Sequence, residues 1–290
     1  MLQQKQNINN ILPVDPSYTT IYLDKIDKGK ELLLKSNVVV AGLCRNLGHC
    51  IKNNLLKIIQ ILDHNCLDYK IVLFENDSTD NTINEILSLK NHNIILLSQN
   101  YNRPQFGTGK DKERINALAE YRNIIKEHIK INYSNFDFTI IMDMDFIDIS
   151  NTGFFNSFGW LKEYPNIDAM SGNSFEIKDI FNTSELTLWN YDSWAFRGSW
   201  WDDLQGKKLT EHYNNYNRML WFGLWILPVG SRPISVNSAF GGMCIYKTKH
   251  YTSGQYASYD CEHVTFHYDI SNKNPGFALC LNPSQVMLMS

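Results

Sequence analysis

Residues Thr139 to Asp148 read TIIMDMDFID, and this stretch decides how the rest of the chain is interpreted. Its apolar run is typical of a buried strand, and it leads to two acids, Asp143 and Asp145, with one residue between them. Residues i and i+2 of a strand point to the same side. Two such carboxylates at a strand's end can bind one divalent cation and leave positions for phosphate oxygens. We therefore predict a metal site, with Asp145 as the direct ligand and Asp143 reaching ribose or the metal through water.

The residues before this stretch alternate between strand and helix patterns. Predicted strands are Asn37–Cys44, Tyr69–Phe74, Asn93–Ser98 and Phe136–Asp143, and predicted helices are Ile51–Leu62, Thr82–Leu89 and Lys112–Ile131. This alternation predicts right-handed βαβ crossovers and a parallel sheet. Ligands of such folds bind at the carboxyl ends of the strands. We therefore interpret residues 37–149 as a nucleotide-binding half.

The rest of the chain has a different composition. Residues 1–36 are polar and predict an N-terminal extension. After about residue 150 the helical periodicity fades, while aromatic, Gly and Ser residues become frequent. We interpret residues 150–290 as a mixed α/β acceptor- and sugar-binding half, fused to the first half in a single domain. Within it, Ser238–Lys247 predicts a strand entered through a Gly-Gly turn, and Tyr259–Asp269 an alternating strand.

Composition and charge exclude several classes of protein. The formal net charge is −3 and no basic stripe is present, so nucleic acid is not an expected partner. The six cysteines include no CxxC pair and predict reduced thiols. No apolar run reaches the ~20 residues that span a bilayer, and no signal peptide is visible. We expect a cytoplasmic protein.

Polar side chains follow two of the predicted strands. Glu75 and Asn76 begin the loop ENDSTDNT, which can place acceptors against a base or ribose or can be a turn and helix cap. Arg45 follows the first strand, and Arg114 and Arg122 lie on the long helix. Arginine suits bidentate contacts with phosphate, although each of these residues can equally form a surface salt bridge.

The segment YDCEHVTFHYD gathers acids and histidines late in the chain. It holds Asp260, Glu262, His263 and His267. A neutral histidine binds Mn²⁺-like metals, whereas a lone buried histidine is usually a satisfied core residue. We predict His267 as a third metal ligand, with His263 as the alternative.

Two further features suit a sugar site. Gly241-Gly242 permits close approach of the backbone to a donor sugar. Aromatic rings can stack on sugar rings or simply form a core, and the candidates are Trp194, Trp200, Trp221 and Trp225.

Taken in order, these motifs resemble the GT-A glycosyltransferases. They are the VVVAGLCRN strand, FENDSTDNT, the ERINALAEYRN helix, IIMDMDF, YDSWAFR, SAFGGMCIYK and CEHVTFH. The likeness is greatest to the fungal capsule-associated α-1,3-mannosyltransferase family and to related viral and bacterial transferases, and it extends over residues 37–268.

The resemblance implies a Mn²⁺- or Mg²⁺-dependent glycosyltransferase. Such an enzyme moves a sugar, mannosyl or glucosyl, from a UDP- or GDP-sugar to a hydroxyl of a glycan or other acceptor. The implied donor-binding residues are Arg45, Glu75, Asn76, Arg122, Asp143, Asp192, Gly241 and Gly242. The implied catalytic acids are Glu262 and Asp260. One of them deprotonates the acceptor if the anomeric configuration inverts; Glu262 stabilises the oxocarbenium-like state if it is retained, as the relatives suggest.

Other classes of protein stay open. A non-catalytic carbohydrate-binding module or degenerate transferase explains the aromatic residues but not the acids and histidines together. A nucleotidyltransferase of related fold is a further alternative. A haloacid-dehalogenase-like phosphatase also uses an acidic pair after a strand, but it needs Thr or Val where this chain has Ile147.

Overall fold

The structure is a computed structural model that describes residues 7–107, 111–179, 185–199 and 222–290. The strands are β1 (Asn37–Cys44), β2 (Asp68–Asn76), β3 (Ile94–Gln99), β4 (Phe138–Met142), β5 (Phe146–Ile149), β6 (Ala169–Ser171), β7 (Phe175–Lys178), β8 (Thr187–Asn190), β9 (Arg197–Gly198), β10 (Ile234–Ser238), β11 (Met243–Lys247), β12 (Leu279–Leu281) and β13 (Met287–Met289). The helices are α1 (Ile8–Ile11), α2 (Thr19–Leu33), α3 (Ile51–Leu62), α4 (Thr82–Ser88), α5 (Lys112–Asn132), α6 (Asn151–Glu163), α7 (Thr248–Tyr251) and α8 (Glu262–Lys273), with a short 3-10 turn at Pro16–Tyr18. Among these helices none is long and apolar enough to cross a membrane.

Contacts within the chain divide it into two compact units. We call them the parallel unit (Leu33–Asp145 and Ile245–Phe277) and the mixed unit (Met1–Leu32, Phe146–Cys244 and Ala278–Ser290). The organisation of the chain as a single domain of two functional halves stays a prediction.

The parallel unit is built on the strand order β3-β2-β1-β4-β11. Strand β1 pairs in parallel with β2 and β4, and β2 pairs in parallel with β3. Residues Val38 to Ala41 of β1 are buried on both faces, as their continuous β-branched run predicts. The prediction of a parallel α/β sheet is therefore confirmed.

Helix α3 shows how the sequence pattern sets the packing of this unit. Its apolar positions recur at helical spacing, and Ile51, Leu55, Ile58 and Leu62 are all buried. The helix begins and ends where the sequence predicts. Burial of this stripe, at roughly 1.5–3 kcal/mol for each fully buried side chain, drives the helix onto the sheet.

One element of the parallel unit was predicted wrongly. The segment Tyr259–Asp269 is not an alternating strand, because residues Glu262–Lys273 form helix α8. The first two turns of α8 are buried on every side, from Glu262 to His267. A helix surrounded by protein shows no apolar stripe in its sequence, so the 3.6-residue period was hidden.

The strand that leads to the acidic pair is shorter than predicted. Strand β4 ends at Met142, and β5 begins at Phe146. Asp143 and Asp145 therefore lie in the connection that follows β4, outside both strands.

The mixed unit contains two groups of hydrogen-bonded strands. One has the order β6-β12-β10-β9, with β12 parallel to β6 and antiparallel to β10. The other has the order β5-β13-β7-β8, with β13 antiparallel to β5 and parallel to β7. The strands of this unit are short and pair in both directions. The sequence of this half therefore shows no single repeating pattern of apolar residues.

Helices α2 and α6 of the mixed unit approach one another closely through two glycines. A Cβ atom on Gly29 would lie 1.8 Å from the Phe155 carbonyl oxygen, and one on Gly159 would lie 1.9 Å from the Lys25 carbonyl oxygen. Both obstacles are backbone atoms, which cannot rotate away. The two helices can therefore pack at this distance only because both positions lack a side chain.

We expect Gly29→Ala to lower the free energy of unfolding by about 1–3 kcal/mol, since overpacking at a rigid contact outweighs the better helix propensity of alanine. Urea unfolding followed by circular dichroism measures the change. Gly107→Ala is the matched control, because nothing lies within 4 Å of a Cβ atom there. A Gly29→Ala variant as stable as the control would contradict the packing role.

Candidate functional site

The carboxyl ends of the parallel strands bring several predicted site residues to one edge of the sheet. Cys44, the last residue of β1, pairs with Glu75 near the end of β2, and Glu75 pairs with Ser98 of β3. Arg45 comes directly after β1, and Asp143 comes directly after β4. This edge is where parallel α/β folds bind their ligands.

Arg122 joins the two acidic motifs of this edge. Its Nε lies 3.1 Å from Oε1 of Glu262, and its Nη2 lies 3.5 Å from Oδ1 of Asp143. The side chains of Arg122 and Glu262 are 7% and 5% exposed, whereas that of Asp143 is 21% exposed. The structure thus places a buried guanidinium between an acid from the β4 connection and an acid from α8.

The charges of this triad depend on one another. Burial alone lowers the pKa of Arg122, but the facing carboxylates of Glu262 and Asp143 outweigh it and raise that pKa. Arginine is in any case permanently charged in proteins. A buried charge is tolerated when it is paired and hydrogen-bonded, so each member holds the others in place.

Hydrogen bonds between α5 and the segment before α8 set the position of Arg122. The side-chain amide of Asn123 donates to the carbonyl of Tyr256 at 3.0 Å and accepts from the backbone N–H of Tyr256 at 3.0 Å. One turn later, Nζ of Lys126 donates to the carbonyl of Gly254 at 3.0 Å. Glu262 follows in the first turn of α8. The segment that leads into α8 is therefore held against α5 by contacts with the backbone of Gly254 and Tyr256.

Asp145 lies in a different environment from Asp143. Burial raises the pKa of Asp145, and the nearby His49 lowers it only in part. A carboxylate whose charged form is disfavoured by burial gains when a cation binds it. This environment, and the oxygen donors of both acids, fit the hard cations Mg²⁺ and Mn²⁺.

The described part of the chain contains no group of three His, Cys, Asp or Glu side chains arranged to hold a metal ion. Mg²⁺ is commonly held by one or two carboxylates together with substrate phosphates and water. Asp143 and Asp145 therefore suffice as protein ligands if a diphosphate supplies the rest. The metal site stays a prediction.

The two histidines of α8 are buried in an aromatic core. Nε2 of His267 lies 2.8 Å from the hydroxyl of Tyr246, and burial lowers the pKa of His267 to about 3. Burial also lowers the pKa of His263, helped by the charge of Arg122. Both imidazoles are therefore neutral at pH 7. The contact with Tyr246 is that of a satisfied core histidine, and the metal-ligand role of His267 stays a prediction without support from its surroundings.

The loop after β2 is organised by its own acids. Glu75 accepts from the backbone N–H of Ser78 at 2.8 Å and from the hydroxyl of Ser98 at 2.6 Å. The side-chain amide of Asn76 donates to the hydroxyl of Tyr121 at 3.2 Å. Both side chains are buried. Glu75 thus shapes the loop, and its predicted contact with a nucleoside stays a prediction.

Arg45 extends from β1 to the loop that follows β3. Its Nη1 and Nη2 donate to the carbonyls of Pro104 and Arg103 at 2.9 and 2.7 Å. The backbone N–H groups of Tyr101 and Asn102 in the same loop donate to Oδ1 of Asp77 at 2.7 and 2.8 Å. The loops that follow three consecutive strands are therefore tied together at this edge.

Arg103 is a site candidate that the sequence prediction missed. Its guanidinium carbon lies 4.6 Å from the ring centroid of Tyr101 and 5.2 Å from that of Tyr121, and its Nη2 lies 2.6 Å from Glu120. The signal was available, because the sequence YNRP follows β3 just as Arg45 follows β1.

Asp260 precedes α8, and its carboxylate accepts from the backbone N–H of Cys261 at 2.7 Å. The side chain is buried, like that of Glu262. Asp260 therefore contacts the residue that precedes α8, and its predicted catalytic role stays a prediction.

The predicted sugar-pocket residues belong to the mixed unit. Asp192 follows β8 with a left-handed φ of 62°, and Gly241 and Gly242 form a turn with φ values of 55° and 70°. The space beside Gly241 is filled by the chain itself, since an added Cβ would lie 2.4 Å from the Gly172 carbonyl oxygen. A role in sugar binding stays a prediction.

The predicted aromatic platform is described only in part. Trp200 and Trp221 lie outside the described residues. Trp225 packs with Phe196 and Phe222, at centroid distances of 5.9 and 6.2 Å, so it forms part of an aromatic core. Trp194 supplies a carbonyl to the buried Arg197.

The parallel sheet, its polar carboxyl edge and the mixed unit define a mixed α/β fold of the GT-A glycosyltransferase type. The chain resembles the glucosyl-3-phosphoglycerate synthase of Mycobacterium tuberculosis solved with Mn²⁺, UDP and phosphoglyceric acid: the TM-score is 0.51 and the identity 14%, over 96% of this chain and 79% of that one. The same enzyme with Mg²⁺ and UDP gives a TM-score of 0.50 at 12% identity, over 91% and 74%.

The mannosyltransferase PcManGT of Pyrobaculum calidifontis, solved with GDP-Man and Mn²⁺, gives a TM-score of 0.48 at 14% identity. The alignment covers 94% of this chain and 65% of that one, so this chain spans less than two thirds of that enzyme's length. No protein-family model matches the chain, and no curated protein matches it. At these identities the likeness is one of fold, and the resemblance to the fungal capsule-associated family stays a prediction.

The buried histidines predict how stability depends on pH. The folded-state pKa of His267 is about 3, below the unfolded value of 6.5, so the unfolded chain takes up a proton first as the pH falls. The free energy of unfolding is therefore not reduced by His267 above pH 6.5, and it is progressively reduced as the pH falls from 6.5 towards 3. We expect the free energy of unfolding to decrease between pH 7 and pH 5, approaching about 1.4 kcal/mol per pH unit per buried histidine.

Urea unfolding at several pH values measures this slope. His267→Gln keeps a hydrogen-bonding group for Tyr246. It should reduce the slope by about 1.4 kcal/mol per pH unit, the contribution of one proton taken up on unfolding. His64→Gln, at an exposed position, is the control and should leave it unchanged. Equal slopes in the wild type and His267→Gln would show that His267 is not held neutral.

Proposed function

We propose that this protein is a glycosyltransferase that moves a sugar from a nucleotide sugar to a hydroxyl of an acceptor. The observation that carries the proposal is the position of the Arg122 triad at the carboxyl edge of the parallel sheet, where Asp143 comes two residues before Asp145 in the chain. A guanidinium can bind the diphosphate of a sugar nucleotide directly, and Asp143 and Asp145 can bind it through a divalent cation. The GT-A fold supports the same reaction class.

The loops after β1, β2 and β3 are the proposed binding site for the nucleoside. Nε of Arg45 and Nη1 of Arg103 are buried and find no hydrogen-bond partner in the described residues. A buried donor that lacks a partner calls for an explanation, and an oxygen of a base or ribose supplies one. Glu75, Asn76 and Asp77 hold these loops in shape before the ligand arrives.

A divalent cation, Mn²⁺ or Mg²⁺, is the proposed cofactor, and when bound it would stabilise the charge that develops on the departing diphosphate. Asp143 and Asp145 would hold it. Burial disfavours the anionic form of Asp145, and this supports its role as the direct ligand.

Glu262 and Asp260 are the proposed acids near the reacting carbon. Glu262 is held in place by its ion pair with Arg122, and a fixed carboxylate suits stabilisation of an oxocarbenium-like state. This favours retention of the anomeric configuration. NMR analysis of the product anomer decides between retention and inversion.

The donor is proposed to be a UDP- or GDP-hexose, mannosyl or glucosyl, and the acceptor a glycan or another hydroxyl compound. Asp192, Gly241 and Gly242 are the proposed sugar-pocket residues. Hydrolysis assays over a panel of nucleotide sugars would name the donor.

A thermal-shift screen with UDP, GDP and CDP tests the proposal. We expect one nucleotide together with Mn²⁺ to raise the melting temperature, because a ligand that binds only the native state stabilises it. At 100 times the Kd the gain in stability is about 2.7 kcal/mol. No shift with any of the nucleotides would contradict a sugar-nucleotide enzyme.

Asp145→Asn should abolish the part of this shift that depends on Mn²⁺. Asp68→Asn is the control, because Asp68 is an exposed acid at the opposite end of β2. If turnover of the donor survives Asp145→Asn unchanged, the metal assignment is wrong.

A further inference from the structure

The two ion pairs of Arg122 are unequal. The pair with Glu262 is shorter, at 3.1 Å, and its acid is 5% exposed. The pair with Asp143 is longer, at 3.5 Å, and its acid is 21% exposed. A short, buried pair is costly to break, whereas a longer pair whose acid is partly exposed is weaker. Glu262 is therefore the fixed anchor of Arg122, and Asp143 is its exchangeable partner.

We propose that Arg122 couples the binding of the divalent cation to the binding of the diphosphate. In the free protein Arg122 pairs with Asp143. When Asp143 binds a divalent cation instead, the guanidinium of Arg122 becomes available to contact the diphosphate. Glu262 acts as a positioning residue that keeps the guanidinium at this point throughout. The inference rests on the proposed function and assigns separate roles to two of its residues.

The electrostatic reason lies in the charge of the triad. Arg122 carries one positive charge and its two partners carry one negative charge each, so the triad has a net charge of −1. Arg122 repels a cation near Asp143 and competes with it for the carboxylate. The same guanidinium attracts a diphosphate. Cation and diphosphate should therefore each bind weakly alone and tightly together.

Two other titratable side chains close to Arg122, those of His263 and Tyr256, carry no charge that could substitute for the guanidinium. His263 is neutral, because burial and the charge of Arg122 lower its pKa. Burial raises the pKa of Tyr256 well above 10, so its hydroxyl is neutral too. Neither of these neutral groups can take over the charge of Arg122.

The test titrates Mn²⁺ into the protein without nucleotide, followed by electron paramagnetic resonance of the free ion at low ionic strength. Arg122→Gln removes the competing charge and should tighten Mn²⁺ binding by about three- to tenfold. Glu262→Gln removes the shorter ion pair of Arg122, so the guanidinium competes more strongly for Asp143, and Mn²⁺ binding should weaken by a similar factor. A merely structural role would weaken binding in both variants.

The second measurement is calorimetric titration of GDP and UDP, with and without Mn²⁺. Arg122→Gln should weaken binding of the nucleotide that binds the wild type, at least about tenfold, and reduce its dependence on Mn²⁺. Lys130→Gln is the control, since Lys130 is an exposed cation in the last turn of α5, away from the Arg122 triad in the sequence. It should leave both affinities unchanged.

The outcomes separate this inference from the proposed function. Weaker Mn²⁺ binding in Arg122→Gln, or tighter binding in Glu262→Gln, overturns the coupling role. If neither nucleotide binds with Mn²⁺ present, the proposed function fails, while the Mn²⁺ titrations still decide the role of Arg122. If Arg122→Gln does not fold, two other measurements decide the coupling role of Arg122. They are the Mn²⁺ affinity of Glu262→Gln and the dependence of wild-type nucleotide affinity on Mn²⁺. If Mn²⁺ and nucleotide bind the wild type independently of one another, the inference is overturned.

Discussion

The parallel unit depends on one constraint: a buried guanidinium must be paired. Arg122 lies in the interior of α5, where an uncompensated charge would cost several kcal/mol. Its partners come from the connection after β4 and from the first turn of α8. The middle of α5, the end of β4 and the start of α8 are therefore required to meet at one point. That point is also where the carboxyl ends of the parallel strands collect, so structural and ligand-binding requirements coincide.

Local backbone strain supports the same edge. Asn46, Asp77 and Asn102 adopt left-handed φ values of 55°, 51° and 54°, and each follows a different parallel strand. Non-glycine residues rarely adopt this conformation, although Asn and Asp tolerate it best. Their side chains and neighbours offset the cost by hydrogen bonds between the loops. Such strain is typical of preorganised binding sites.

The elements of the parallel unit were predictable because their patterns are local. Strand β1 and helix α3 begin and end where the sequence predicts, since continuous β-branched burial and an apolar helical stripe are written in consecutive residues. Helix α8 was missed, because burial on every side leaves no stripe. Arg103 was missed although its place after β3 was a signal, because its contacts with Tyr101 and Tyr121 are visible only in the fold.

The sequence by itself determined the parallel α/β architecture and the position of Asp143 and Asp145 after a buried strand. It also named Arg122 and Glu262, through their motifs. Only the tertiary structure decided that Arg122 lies between Asp143 and Glu262. Arg122 and Glu262 are 140 residues apart, and a contact over that separation produces no pattern in the sequence. The structure likewise decided that His267 is a buried partner of Tyr246. Whether a buried histidine has a hydrogen-bond partner depends on which residue the fold places beside it.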